Sequence, residues 1–188
     1  MKQKLKEIYK TSPYLKFKNN TTFPKEIGSP LYGELTQKGV DMIVKHLQPY
    51  FNSNTVFYDL GSGLGKMVLH IGIQYGVKKS IGIEYSKERH QGAISQQENY
   101  AKEYNNILFF NTTIQNHDIS DATIIYMDDT VYPDELCLEA YNKIKNGCLM
   151  IYKKEFKENF PQYKDQIEVE KGTERTYPAQ DFFYLIKK

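Results

Sequence analysis

The run Asp59-Leu60-Gly61-Ser62-Gly63-Leu64-Gly65-Lys66 sets three alternate glycines between a carboxylate and a lysine. Glycines in a turn let a ligand approach the backbone, and the helix start that such a turn opens attracts negative charge. Three ligand classes use this device. A phosphate-cradling P-loop needs glycine five residues before Gly65 and Ser or Thr after Lys66, but Leu60 and Met67 stand there. A dinucleotide fingerprint needs glycine at position 66, which is lysine. That lysine weakens the dinucleotide reading, and the third class is GxGxG with a carboxylate two residues ahead, here Asp59. A carboxylate there suits a ligand carrying an ammonium group, as S-adenosyl-L-methionine does. Glu84 lies nineteen residues after Gly65, at the end of an apolar run. An acid in that place accepts both ribose hydroxyls of an adenosine.

A second constellation is Asp128-Asp129, directly after the apolar run ATIIYM. Adjacent acids there would draw a cationic amine, help to remove its proton, or simply form a polar turn before Pro133. Metal chemistry has less to work with. His46, His70, His90 and His117 form no ligand spacing, and Cys137 and Cys148 fall outside any CxxC, so no metal is expected. A reducing compartment fits two such cysteines.

The elements that must position these groups follow from periodicity. Segments 55–60, 80–85, 107–110, 122–127, 148–154, 166–171 and 181–188 read as strands, rich in β-branched and aromatic residues. Residues 2–9, 36–48, 66–75, 87–104 and 133–145 read as helices, with Thr36 and Ser86 as N-caps, Pro49 stopping the second and Asn146-Gly147 ending the last. The segment 66–75 is apolar nearly all round, as a helix buried against a sheet would be. In 87–104, Ala93, Ile94, Ala101 and Tyr104 share one side, the expected buried face. Alternation of strand and helix predicts a Rossmann-like α/β fold with a seven-stranded, mostly parallel sheet flanked by helices. The last two strands follow one another without a long helix, so that pair is expected to be antiparallel. Ligands of such sheets bind beyond the carboxyl ends of the strands. Residues 11–33 contain Pro13, Pro24 and Pro30 and no clean period, as lids and binding loops do.

Composition bounds the rest. The chain has 188 residues, 40% hydrophobic and 14% aromatic, enough for one core and against global disorder. Twenty-five basic and 23 acidic residues leave a net charge of +2, so charge gives no strong nucleic-acid or membrane signal. Lys2, Lys4, Lys6, Lys10, Lys16 and Lys18 face only Glu7 in the first eighteen residues, which reads as a solvated helix and tail or a weak dock for an acidic partner. No apolar run approaches a membrane span, and no secretory core follows the first lysines. An intracellular protein is expected, in nucleus or cytoplasm.

The chain resembles the class I S-adenosylmethionine-dependent methyltransferases. More narrowly, Ser29-Pro30-Leu31-Tyr32-Gly33-Glu34, then a helix, then FYDLGSGLGK, and later ATIIYMDDTVYP, resemble the non-SET histone lysine methyltransferases of the "disruptor of telomeric silencing" type over residues 29–188. The resemblance implies a fold, a cofactor and roles. Residues 1–33 would form an N-terminal helix and cofactor-covering lid, and 34–188 the catalytic domain. Tyr32, Gly33 and Glu34 would cover S-adenosyl-L-methionine, with Thr36 beside them. Asp59, Gly61, Ser62, Gly63, Gly65 and Lys66 would hold its methionine end, Glu84 and Tyr85 the ribose side, Thr113 and Ile114 the adenine. Asp128 and Asp129 fall beside the transferring methyl, and Tyr32, Tyr132 and Phe183 would line a channel for an acceptor lysine. Three departures stand out: Lys66 where the family has glutamine, Thr113 where it has an acid, and Asp128-Asp129 where it has two asparagines.

The implied partner is a protein with an accessible lysine, histones included. The long basic tail of the nucleosomal enzymes is not evident, and phosphate contacts would depend on it. Transfer to a nucleic-acid base or a small molecule, a metal-assisted O-methyl transfer, and a non-catalytic cofactor-binding module remain open alternatives. Oligomeric state is not readable from the chain.

Overall fold

A computed structural model describes residues 2–10, 22–153, 167–172 and 182–187. Helix α1 is Lys2–Lys10 and α2 is Gln37–His46. Strand β1 (Val56–Leu60) leads into α3 (Lys66–Gln74), and β2 (Lys79–Glu84) into α4 (Lys87–Tyr100). Strands β3 (Ile107–Asn111) and β4 (Ile124–Met127) precede α5 (Asp134–Lys143) and β5 (Leu149–Tyr152). Strands β6 (Ile167–Gly172) and β7 (Phe182–Lys187) complete the chain.

The seven strands form one sheet in the order β3-β2-β1-β4-β5-β7-β6. The first five run parallel and β7 pairs antiparallel with β6, as expected; β7 also pairs antiparallel with β5. Strand order reverses between β1 and β4, the switch point at which such sheets bind ligands.

Alternation along β1 sends Val56, Tyr58 and Leu60 to one face, where they pack with Leu136, Cys137, Ala140 and Tyr141 of α5. Phe57 points to the other face, with Val40, Ile43 and Val44 of α2 and Met67 and Ile71 of α3. Every residue of α3 from Lys66 to Ile73 is buried, as an all-round apolar helix between two layers requires. Its start is set by Gly65 in the left-handed region (φ 75°), where phenylalanine 109 leaves no room for a Cβ: the Phe109 ring lies 2.5 Å from where one would sit.

Three expectations are corrected. Helix α1 is not simply a solvated tail: Leu5 and Ile8 are fully buried against Val68, Leu69 and Ile73 of α3. Helix α4 ends at Tyr100, with Ala101 as its C-cap donating to the Gln97 carbonyl. Its buried residues are Arg89, Ala93 and Gln96, while Ile94 is only half-buried. Polar residues turn inward there because backbone acceptors await them: Gln96 donates to the Leu64 carbonyl at 2.8 Å and Arg89 to the Pro30 carbonyl. Helix α2 stops at His46, and Pro49 sits in a separate 3-10 turn, Gln48–Tyr50.

Candidate active site

The site is built at the carboxyl ends of β1, β2, β4 and β5, roofed by the segment that precedes α2. A cavity of about 660 Å³ opens there, within the range of cofactor sites. Its wall includes Tyr32, Gly33, Glu34, Thr36, Gly61, Lys66, Glu84, Tyr85, Thr113, Ile114, Asp128 and Tyr132, so most of the expected residues are brought together from distant parts of the chain.

The glycine turn and the β2 acid are joined directly. Glu84 Oε2 accepts the Gly63 N–H at 2.8 Å and Oε1 accepts the Ser86 N–H at 2.7 Å. Burial pushes the Glu84 carboxyl up, against the pull of those donors and of Arg89. The turn is roofed by two tyrosines. A Cβ on Gly61 would collide with the Tyr132 hydroxyl, and one on Gly63 with the Tyr32 ring. The Tyr132 hydroxyl in turn donates to the Leu60 carbonyl at 3.3 Å.

Asp59, Ser62, Gly63 and Gly65 are buried and stand outside the wall itself. The Asp59 carboxyl is pushed up to about 8, first by burial and then by the charges of Glu84 and Asp128. Among the described residues it receives no hydrogen bond. A buried carboxylate without a donor, coupled to two acids on the cavity wall, is a place for a cation.

The roof is held by two cations of the body. Lys66 Nζ donates to Glu34 Oε2 at 2.6 Å, both side chains being mostly buried. Lys66 therefore has its carboxylate partner in the Tyr32-Gly33-Glu34 run. The other Glu34 oxygen accepts from the Tyr32 hydroxyl, which itself accepts the Leu64 N–H at 3.3 Å. Burial and Glu34 together push the Tyr32 phenol up, so it stays a neutral donor. From α4, the Arg89 guanidinium stacks 4.8 Å from the Tyr32 ring centroid and 5.4 Å from that of Phe23. Phe23 meets Tyr85 edge-on at 5.2 Å, which gives that part of the cavity an aromatic wall.

The far side differs from expectation. Asp128 lines the cavity, but its carboxylate is engaged: Oδ1 accepts from the Thr130 hydroxyl at 2.7 Å, and Oδ2 lies 2.5 Å from Lys153 Nζ. Asp129 is buried and is not among the residues lining the cavity; its Oδ1 accepts the Lys153 N–H at 2.8 Å. Asp129 thus meets a backbone donor just past the end of β5 and stands off the cavity wall. The Phe183 side chain lies outside the described residues; its backbone pairs with Tyr152 in the β5–β7 ladder.

Sequence reasoning missed Tyr9, Phe23, Arg89 and Lys153. Tyr9, from α1, lines the cavity, and its hydroxyl lies 3.0 Å from His70 Nδ1. Arg89 carries a weak signal, five residues after Glu84 on a helix start. Lys153 carries none, since its partners lie about 24 residues away in sequence. Among the described residues, no cluster of His, Cys, Asp and Glu could hold a metal, and no helix is long and apolar enough to cross a membrane.

Sheet order, switch-point cavity and glycine turn define a class I methyltransferase fold. Solved structures agree. A Synechocystis magnesium protoporphyrin IX methyltransferase with bound S-adenosylmethionine matches with TM-score 0.65, 14% identity, and 81% of this chain against 79% of that one. A Salinibacter ruber RNA methyltransferase in complex with S-adenosyl-L-homocysteine matches with TM-score 0.54, 23% identity, and 64% against 76%. Residues 15–174 match the family model described as "Histone methylation protein DOT1", and the chain belongs to that family. A Kluyveromyces lactis "Histone-lysine N-methyltransferase, H3 lysine-79 specific" is 36% identical over 69 residues, 37% of this chain. The matched stretch is 11% of that relative's length.

Proposed function

We propose that this protein transfers a methyl group from S-adenosyl-L-methionine to a protein lysine side chain, histones being the first acceptors to try. The observation that carries the reading is the junction of Glu84, on the cavity wall, with the N–H of the glycine turn, and the buried, donor-less Asp59 directly behind that wall, coupled to Glu84 and Asp128. The residues fit the cofactor. Asp59 would face its ammonium, Glu84 its ribose hydroxyls, and Tyr85, Ile114 and Phe23 its adenine. When bound, the cofactor supplies an electrophilic methyl on a sulfonium.

The chain's own residues supply the rest. Tyr32 and Glu34, held by Lys66 and Arg89, close the roof and keep water from the reacting centre. An acceptor amine would need a free lone pair to take that methyl, so its ammonium proton would have to leave first. Desolvation beside Tyr32 and Tyr132 lowers an ammonium's pKa and helps that loss. Alignment of amine and methyl is the remaining task, and the rigid strand ends serve it.

The test uses methyl-labelled cofactor with core histones, nucleosomes, bulk protein extract and nucleic acid offered separately, Glu84→Ala serving as control. Label in protein, lost in the variant, supports the reading. Label confined to nucleic acid, or in no fraction at all, overturns it.

A further inference from the structure

The Asp128–Lys153 pair is the feature the cofactor chemistry does not absorb. Lys153 directly follows the last residue of β5, at its carboxyl end. It is held at both ends by the two adjacent acids: Asp129 takes its backbone N–H at 2.8 Å, and Asp128 takes its ammonium at 2.5 Å. Its side chain is only 14% exposed, and both Lys153 and Asp128 line the cavity shared with Glu84 and Glu34.

Topology says which half of the cavity this is. The glycine turn follows β1 and Glu84 ends β2, so the nucleotide half lies on the β1–β2 side of the switch point. Strands β4 and β5, which Asp128 and Lys153 directly follow, lie on the other side. The group that receives the methyl must approach from there. An alkylammonium resting on a carboxylate is what a lysine acceptor would present at that wall, and Lys153 presents those same atoms.

We propose that Lys153 is an internal occupant of the acceptor amine's seat, so that an incoming lysine must displace it from Asp128. The proposal rests on the methyl-transfer reading above. It makes Lys153 a specificity-determining residue: weak or misplaced amines do not dislodge it, while a lysine presented by a docked protein, with binding energy from elsewhere, does. If the pair were only a structural tie, its removal would change stability and leave amine binding as it was.

The test is titration of the protein with n-butylammonium chloride, the lysine side chain without its backbone, in the presence and absence of S-adenosylhomocysteine. Wild type, Lys153→Met, Lys153→Arg and the double variant Lys153→Met/Asp128→Asn are compared. Lys153→Met is expected to bind the probe at least about tenfold more tightly than wild type, and the double variant to lose that gain. Lys153→Arg, which keeps a cation on Asp128, is expected to match wild type. Equal binding by wild type and Lys153→Met, or a gain by Lys153→Arg equal to that of Lys153→Met, overturns the proposal. A measurement on wild type alone guards against a variant that does not fold. In wild type, saturating n-butylammonium should release the Lys153 ammonium from Asp128 and raise its labelling by an amine-acylating reagent, read by peptide mass spectra, and labelling unchanged at saturation overturns the occupant role. Failure of every protein to bind S-adenosylhomocysteine would defeat the methyl-transfer reading instead, and the titration without it still decides the seat.

Discussion

Glu84 and Gly63 are hydrogen-bonded partners across 21 residues of chain: the acid that ends β2 accepts the N–H of the turn that follows β1. With Ser86 donating to its other oxygen, each carboxylate oxygen of Glu84 serves a backbone donor. Glu84→Gln cannot reproduce this, because an amide offers one acceptor oxygen and would set its NH2 against a backbone N–H. Leaving a buried donor unmet costs about 1–3 kcal/mol. The variant should therefore unfold at lower denaturant, and calorimetry should show S-adenosylhomocysteine binding weakened by more than about tenfold. Binding equal to wild type would remove Glu84 from the cofactor site.

Asp59 gives a pH dependence with a defined sign. Its carboxyl is pushed up to about 8 by burial and by Glu84 and Asp128, so below that pH it is mostly neutral when no cation is near. Between the ordinary aspartate range and about 8, the folded state holds a proton that the unfolded state has lost, so Asp59 costs stability increasingly as pH rises through that window. A cationic ligand favours the carboxylate and should expel the proton on binding. Calorimetry at pH 6.5 in buffers of different ionisation enthalpy should thus report proton release, absent in Asp59→Asn. The same variant should raise the melting temperature of the ligand-free protein above pH 8 while weakening S-adenosylhomocysteine binding. A variant less stable at that pH would show that Asp59 is not a burdened acid.

These partners show what the sequence could and could not disclose. The β1–turn–α3 unit was readable because its determinants are local: a β-branched and aromatic run, glycines where a Cβ would strike Tyr132, Tyr32 or Phe109, and a helix apolar on every side. Glu84 was readable because strand length and the Rossmann rule fix where the β2 end falls. Lys153 was not, since a lysine at a strand end looks like any solvated lysine until the sheet brings β5 beside β4. Arg89 and Gln96 misled for a related reason. Apolar periodicity presumes that the buried face of α4 is apolar, whereas that face also serves the carbonyls of Pro30 and Leu64.

Lys66 and Glu34 should behave as one unit. Both are mostly buried, so removing either leaves an unpaired charge, a loss of about 3–5 kcal/mol when burial is complete and less where water still reaches Glu34. Lys66→Met and Glu34→Gln should each destabilise the fold, and the double variant should lose less than the sum. A double-mutant cycle by urea unfolding is expected to give a coupling of about 1–3 kcal/mol, and additivity would dissolve the pair. Lys66→Gln, which still offers a donor to Glu34, should be milder than Lys66→Met.

Arg89 ties α4 to the roof. Its guanidinium lies against both Phe23 and Tyr32 and donates to the Pro30 carbonyl, so one side chain of α4 fixes three points of the segment that covers the cavity. Arg89→Lys keeps the charge but loses the planar fork that stacks and donates together. A role confined to packing would lower the melting temperature alone. A role in holding the roof predicts more: faster amide hydrogen exchange at residues 22–36 with β1 and β2 unchanged, and a cofactor KM raised by about tenfold while kcat moves little. Exchange that quickens equally through the sheet would mean that Arg89 stabilises the whole domain, and the roof would then be held by Lys66 and Glu34 without it.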